Sequence, residues 1–261
     1  MSIRHLMSAA VLVGGFSCLS AGAAETGTVK VQFVYGGSAF DPAKVDVNKD
    51  TEFCGKHDLV NERLLINGSN NGIKNVAFYV FTGRGGSKVD APAATPDTLV
   101  LANDQCRFEP HVLLLEVGDT LEITNPDAVG HNANLNFFAN NAANPTIPPG
   151  ASVKIEIKKP EPGVIPVVCN IHPWMIAHLV VLDHPYAAIS DEDGMMEIKD
   201  VPAGKKLIFR ISHEAAAKGI KEVKINGKVE KLKKNLIEIM VKPGMNDLGK
   251  IEILADTLTR E

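Results

Sequence analysis

Short runs in which apolar and polar residues alternate recur along most of this chain. They include TVKVQFVY from Thr28, NVAFYVF from Asn75, HVLLLEV from His111, TLEITN from Thr120, SVKIEIK from Ser152, GVIPVVC from Gly163 and HLVVLD from His178. Each has the length of a strand, places alternate side chains on opposite faces and is bounded by Gly, Pro, Asn or Asp. Helical periodicity is scarce by comparison. The pattern predicts an all-β protein, a sandwich or a barrel.

The first residues read differently. MSIRHLMSAAVLVGGFSCLSAGAAETG carries Arg4 as its only formal charge before Glu25, an apolar stretch from Leu6 to Leu19, and small residues at Ala21 and Ala23. This is the arrangement of a secretory signal peptide, residues 1–23, cleaved after Ala23 or Ala24. Cys18 lacks the large aliphatic residue three places upstream that a lipid-anchored cysteine needs. A periplasmic or secreted protein follows. Loss of Arg4 takes the formal charge one unit below the −4 of the full chain, which speaks against a nucleic-acid-binding surface. No other segment approaches the roughly 18–20 apolar residues of a transmembrane helix.

The mature chain keeps three cysteines, Cys54, Cys106 and Cys169. In an oxidising compartment an odd count leaves one thiol that is unpaired or bonded to something else. Residues 41–105 are loop-rich, with NGSNNG from Asn67 and VDAPAATPD from Val89, and read as an insertion decorating the sandwich. Cys54 and Cys106 lie toward its two ends, and a disulfide between them would tie it to the strand that follows. Cys169 is then the spare thiol.

That thiol opens a dense motif. In VVCNIHPWM, Cys169 is followed three residues later by His172 and three after that by Met175. A thiolate and an imidazole so spaced on a tight loop can converge on one ion, with the thioether approaching from one side. A second imidazole would complete the donor set of a mononuclear blue-copper site. His131, which follows two strand-like runs and the turn Asn125-Pro126-Asp127, is the candidate. Zinc is the rival occupant, since Cys and two His bind it tetrahedrally, but methionine is not a usual zinc ligand.

At this point the chain resembles the cupredoxin family, the plastocyanin- and amicyanin-like blue copper proteins. Gly118-Asp119-Thr120, a strand, an Asn and then His131-Asn132 are similar to the family's upstream histidine motif, and C-x2-H-x2-M to its short ligand loop. The resemblance implies a cupredoxin-like Greek-key β-sandwich over residues 27–183, holding one copper ion. It implies His131, Cys169 and His172 as equatorial ligands, Met175 as the axial one, and Asn132 as the residue tying the two ligand loops together. It also implies that His172 presents its ring edge to solvent through an apolar patch with Pro173, Trp174, Ile176, Pro148 and Pro149, as the port for a redox partner protein.

From His184 onward, an Asp-rich turn ending at Gly194, the turn Pro202-Ala203-Gly204 and the hairpin signal Asn226-Gly227 predict a second, smaller β-sandwich over residues 184–261. This part resembles the carboxypeptidase-regulatory-like or transthyretin-like sandwich, which implies an accessory role. The lysine-rich residues 218–234 read as a solvated hairpin, with docking of a redox partner as the alternative.

Of the other histidines, His57 and His111 lie near the expected disulfide and would form a second metal site if both faced inward. His178, His184 and His213 read as structural. The leading functional expectation is a non-enzymatic electron carrier. The alternatives are a non-redox copper-binding protein and a module of the cell envelope that binds protein or glycan. A multicopper enzyme would need further histidine clusters, and the sequence contains no H-x-H pair.

Overall fold

A computed structural model describes residues 25–260. The expected signal peptide lies outside the described residues. The described chain is almost entirely β, in four sheets of four or five strands and one two-stranded ribbon. Among these residues no helix is long and apolar enough to cross a membrane.

Two sheets enclose the core nearest the metal-ligand motif. One runs Ser152–Glu156, Thr120–Thr124, Thr98–Asp104, Arg107–Glu109; the other runs Val112–Glu116, Ile176–Leu182, Ile165–Val168, Asn134–Leu135. The alternation read from the sequence sets their inner faces. Leu121 and Ile123 of one and Ala177, Leu179 and Val181 of the other are buried in the same apolar cluster, with Leu101, Phe108 and Val167.

The remaining two sheets form a second sandwich, and here the structure corrects the expected boundary at residues 183 and 184. Thr26–Gly36 pairs antiparallel with Met195–Pro202 and parallel with Gly244–Leu254. Ala77–Val80 pairs with Ala187–Ile189 and Lys205–Ser212. Both early strands were expected in the first unit, but their ladder partners all come from the C-terminal part. Local sequence marks a strand without naming its partner, and these partners lie more than 100 residues away. Gly194 fixes one such contact. Its φ is +73°, and an added Cβ would fall 2.1 Å from the Phe33 carbonyl oxygen, so a side chain would separate the strands there.

Phe33, Phe78 and Phe209 centre this second core, Phe33 edge-on to Phe78 at 5.5 Å and Phe78 stacked on Phe209 at 4.9 Å. The strand Ala77–Val80 is buried on both faces: Phe78 and Val80 point into this core, while Ala77 and Tyr79 meet Val180 and Leu182 of the first sandwich. Strand periodicity thus lets one segment bind both sandwiches. Asn226 and Gly227 both have positive φ and join Glu222–Ile225 to Lys228–Lys231. The latter is a fully exposed edge strand, as the lysine content predicts.

Candidate metal centre

Ile165–Val168 and Ile176–Leu182 form an antiparallel pair with Val168 opposite Ile176, so residues 169–175 close a hairpin at one end of the first sandwich. The Cys169 N–H donates to the Met175 carbonyl at 3.1 Å, and the Met175 N–H to that of His172 at 2.9 Å. These bonds fold all three side-chain donors into a single turn.

The second loop is fixed by a buried asparagine. Asn125 Oδ1 accepts the Asp127 N–H at 3.0 Å, while its Nδ2 donates to Val129 O at 2.9 Å and Ile147 O at 2.8 Å. The chain then enters the short strand His131–Asn132, which pairs with Thr146–Ile147. Asn132 links the two loops: its Oδ1 accepts the Asn170 N–H at 2.8 Å and lies 3.4 Å from Cys169 Sγ.

One donor atom from each of His131, Cys169 and His172 lies within 4.8 Å of the other two. All three side chains are buried, at 0, 2 and 0 % exposure. His172 Nδ1 stands 3.7 Å from Cys169 Sγ, and the imidazole rings are 4.6 Å apart. Met175 is buried in the same cluster as Cys169.

Each histidine gives its outer nitrogen to a carboxylate. His131 Nε2 donates to Asp127 Oδ2 at 2.9 Å, and His172 Nε2 to Asp50 Oδ2 at 2.8 Å. An ionised carboxylate only accepts, so Nε2 of each ring carries a proton and, in the neutral ring, Nδ1 is the atom free to bind a metal; in His172 that nitrogen faces the Cys169 sulfur. His131 Nδ1 is buried without a hydrogen-bond partner. Asp127 is itself held by the N–H groups of Gln105 and Cys106 at 2.7 and 2.8 Å.

The electrostatics follow from this arrangement. Burial alone pushes the Cys169 thiol up, but His131 and His172, together with backbone contacts, outweigh it and bring the thiol down to about 5. Burial likewise opposes ionisation of Asp127, yet His131 and the two N–H groups hold its carboxyl below the usual range. The Cys169 sulfur and the two imidazoles thus come together at a buried point, where a metal ion would replace the protons the imidazoles share with the thiol. That donor set suits a copper ion, and the unpartnered His131 Nδ1 is the atom a metal would satisfy.

Asp50 and Asp127 were not among the sequence candidates. Asp127 has a local signal, a turn residue four places before a ligand-type histidine. Asp50 has none, because it arrives from the loop-rich residues 41–105. It precedes the short helix Thr51–Cys54, which the Cys54–Cys106 disulfide holds in place. Trp174 ties the same disulfide to the ligand loop: its Nε1 donates to Cys106 O at 2.9 Å, and its ring packs 5.3 Å from His172.

One implied feature is overturned. Ile171, Pro173, Pro148 and Pro149 are exposed, but the His172 ring is not, since Asp50 covers its outer nitrogen. His57 stacks edge-on against Phe53 and takes no part in the clusters of metal-type donors. His184 and His213 bond the carbonyls of Val80 and Lys74, in structural roles.

No family model and no curated protein matches the chain. Among solved structures, a copper-containing nitrite reductase from Thermus scotoductus aligns at 26 % identity over 37 % of this chain and 25 % of its own, with a TM-score of 0.30. The chain therefore spans about a quarter of that reductase's length. A reduced amicyanin mutant aligns at 23 % identity over 32 % of this chain and 81 % of its own, TM-score 0.29. A purple cupredoxin from Nitrosopumilus maritimus aligns at 22 % over 33 % and 98 %, TM-score 0.27.

Proposed function

We propose that this protein is a mononuclear type 1 copper protein of the cell envelope that transfers electrons and is not an enzyme. The observation that carries the reading is the convergence of donor atoms of Cys169, His131 and His172 within 4.8 Å of one another, each imidazole held at its Nε2 by a carboxylate. Copper bound there supplies one-electron cycling between Cu(I) and Cu(II). The chain's own part is to keep the donors fixed through that change. Asn132 holds the loops together, Asp50 and Asp127 set ring orientation and tautomer, and burial keeps water from the thiolate. Met175, buried beside Cys169, is proposed as the weak axial donor.

A thiolate, imidazole and carboxylate in series also serve nucleophilic catalysis. Cys169 is 2 % exposed and flanked by imidazoles on two sides, which suits a ligand rather than a nucleophile that must reach a substrate. A second reading, copper binding without electron transfer, is favoured by the Asp50 cover on His172, which removes the exposed imidazole edge through which a partner would exchange electrons. The second sandwich is proposed as an accessory module.

The deciding experiment adds Cu(II) to the mature protein and to Cys169→Ala, and records optical and electron-spin-resonance spectra with voltammetry. An intense visible thiolate-to-copper band that disappears in the variant, with a reversible wave, supports the carrier. A band without reversible cycling supports the non-redox reading. Absence of the band in wild type removes both.

A further inference from the structure

We infer that His111, His178 and Glu214 form a second divalent-metal site, separate from the Cys169 centre and located where the two sandwiches meet. Ile176–Leu182 runs parallel to Val112–Glu116, and the His178 N–H donates to His111 O at 2.8 Å. This register sets the two imidazoles side by side, 5.6 Å apart. Glu214 comes from the other sandwich, just beyond the strand Lys205–Ser212. One donor atom of each of the three residues lies within 4.8 Å of the others.

An ion pair with Glu214 and Glu62 accounts for His111 but leaves His178 without a partner. His111 Nε2 bonds Glu214 Oε1, but His178 Nδ1 stands 4.0 Å from the same oxygen, too far for a hydrogen bond and with no other partner. His111 Nδ1 lies 3.7 Å from Glu62 Oε2, within ion-pair reach but without a hydrogen bond. Side-chain exposure is 7 % for His111, 9 % for Glu214 and 13 % for His178, so water does not readily satisfy these atoms. Polar atoms left unpaired in such a place destabilise the fold. An ion between Glu214 and the imidazoles would give His178 Nδ1 its partner, and Glu62 would take the outer proton of His111, as carboxylates behind metal-bound histidines do.

Two imidazoles and one carboxylate, without sulfur, suit Zn(II) or a type 2 Cu(II). A cavity of about 480 Å³ lined by His111, Glu214, Glu62 and Arg63 lies against the cluster and extends to Trp174 and Met175 on the ligand loop. A coordination position left free by the protein would open into it.

The test titrates the full mature chain with Zn(II), and separately with Cu(II), alongside His178→Gln and Glu214→Gln. Wild type is expected to bind about two equivalents of either ion and each variant about one. With Cu(II), the variants should keep any visible band of the Cys169 centre, which also reports that they are folded. The second copper should show an axial spin-resonance signal and no intense visible absorption. The inference is overturned if the wild type binds no more equivalents than His178→Gln and Glu214→Gln do. Because one equivalent lost in both variants is what is read, the Zn(II) result stands even if the Cys169 centre proves not to bind metal.

Discussion

Asp50 Oδ2 accepts the Nε2 proton of His172 at 2.8 Å, and the two residues are 122 positions apart in the chain. The carboxylate raises the donor strength of Nδ1 and holds the ring toward Cys169. Asp50→Ala should weaken copper binding by about 10–100-fold. It should also raise the reduction potential, because a poorer imidazole donor stabilises Cu(II) less. Competition titration and voltammetry measure both. Unchanged affinity and potential would mean that the contact is decorative.

Asp127 stands behind His131 in the same way but carries a second duty. It also accepts the N–H groups of Gln105 and Cys106, and it is 4 % exposed. Asp127→Ala should therefore lower the stability of the metal-free protein as well as its metal affinity. Each buried N–H left without an acceptor costs about 1–3 kcal/mol. Asp50→Ala, at a half-exposed carboxylate, should leave metal-free stability nearly unchanged. Denaturant unfolding of the two apo variants separates the cases.

The Cys54–Cys106 disulfide links fold to site. Its loss should cost about 2–5 kcal/mol of stability. It should also loosen the Thr51–Cys54 turn that positions Asp50, so copper affinity should fall with it. Melting and metal titration of Cys54→Ala/Cys106→Ala test this. A variant that loses stability but keeps full affinity would uncouple the bridge from the site.

The strands, and the nearness of Cys169 to His172, were legible in the sequence because both are local signals. TLEITN and HLVVLD show their inward faces by alternation alone, and C-x2-H-x2-M puts Cys169, His172 and Met175 in one hairpin. What was hidden depends on pairing across long separations. The run from Thr28 announces a strand but not that Met195–Pro202 and Gly244–Leu254 are its neighbours, so the boundary at Asp183 came out wrong. Asp50 sits in a stretch without periodicity, and only the folded disulfide brings it to His172. Glu214 is likewise an ordinary charged residue until the two sandwiches meet at His111.

Glu161 should give the fold a pH dependence of its own, away from the Cys169 cluster. Its carboxylate accepts the N–H groups of Phe138, Ala139 and Asn140 and the Asn140 side-chain amide, at 2.9 to 3.1 Å. Burial opposes its ionisation, but the contacts from Asn140, Phe138 and Ala139 win and hold its carboxyl below the usual glutamate range. A carboxyl depressed in the folded state stabilises fully above its unfolded value, and that contribution is lost as pH falls through the folded one. Glu161→Gln should therefore cost about 1–3 kcal/mol at pH 7. The difference from wild type should shrink steadily below about pH 4.5. Urea unfolding of both proteins from pH 7 to pH 3 measures the gap, and a gap independent of pH would show that charge plays no part in holding residues 138–140.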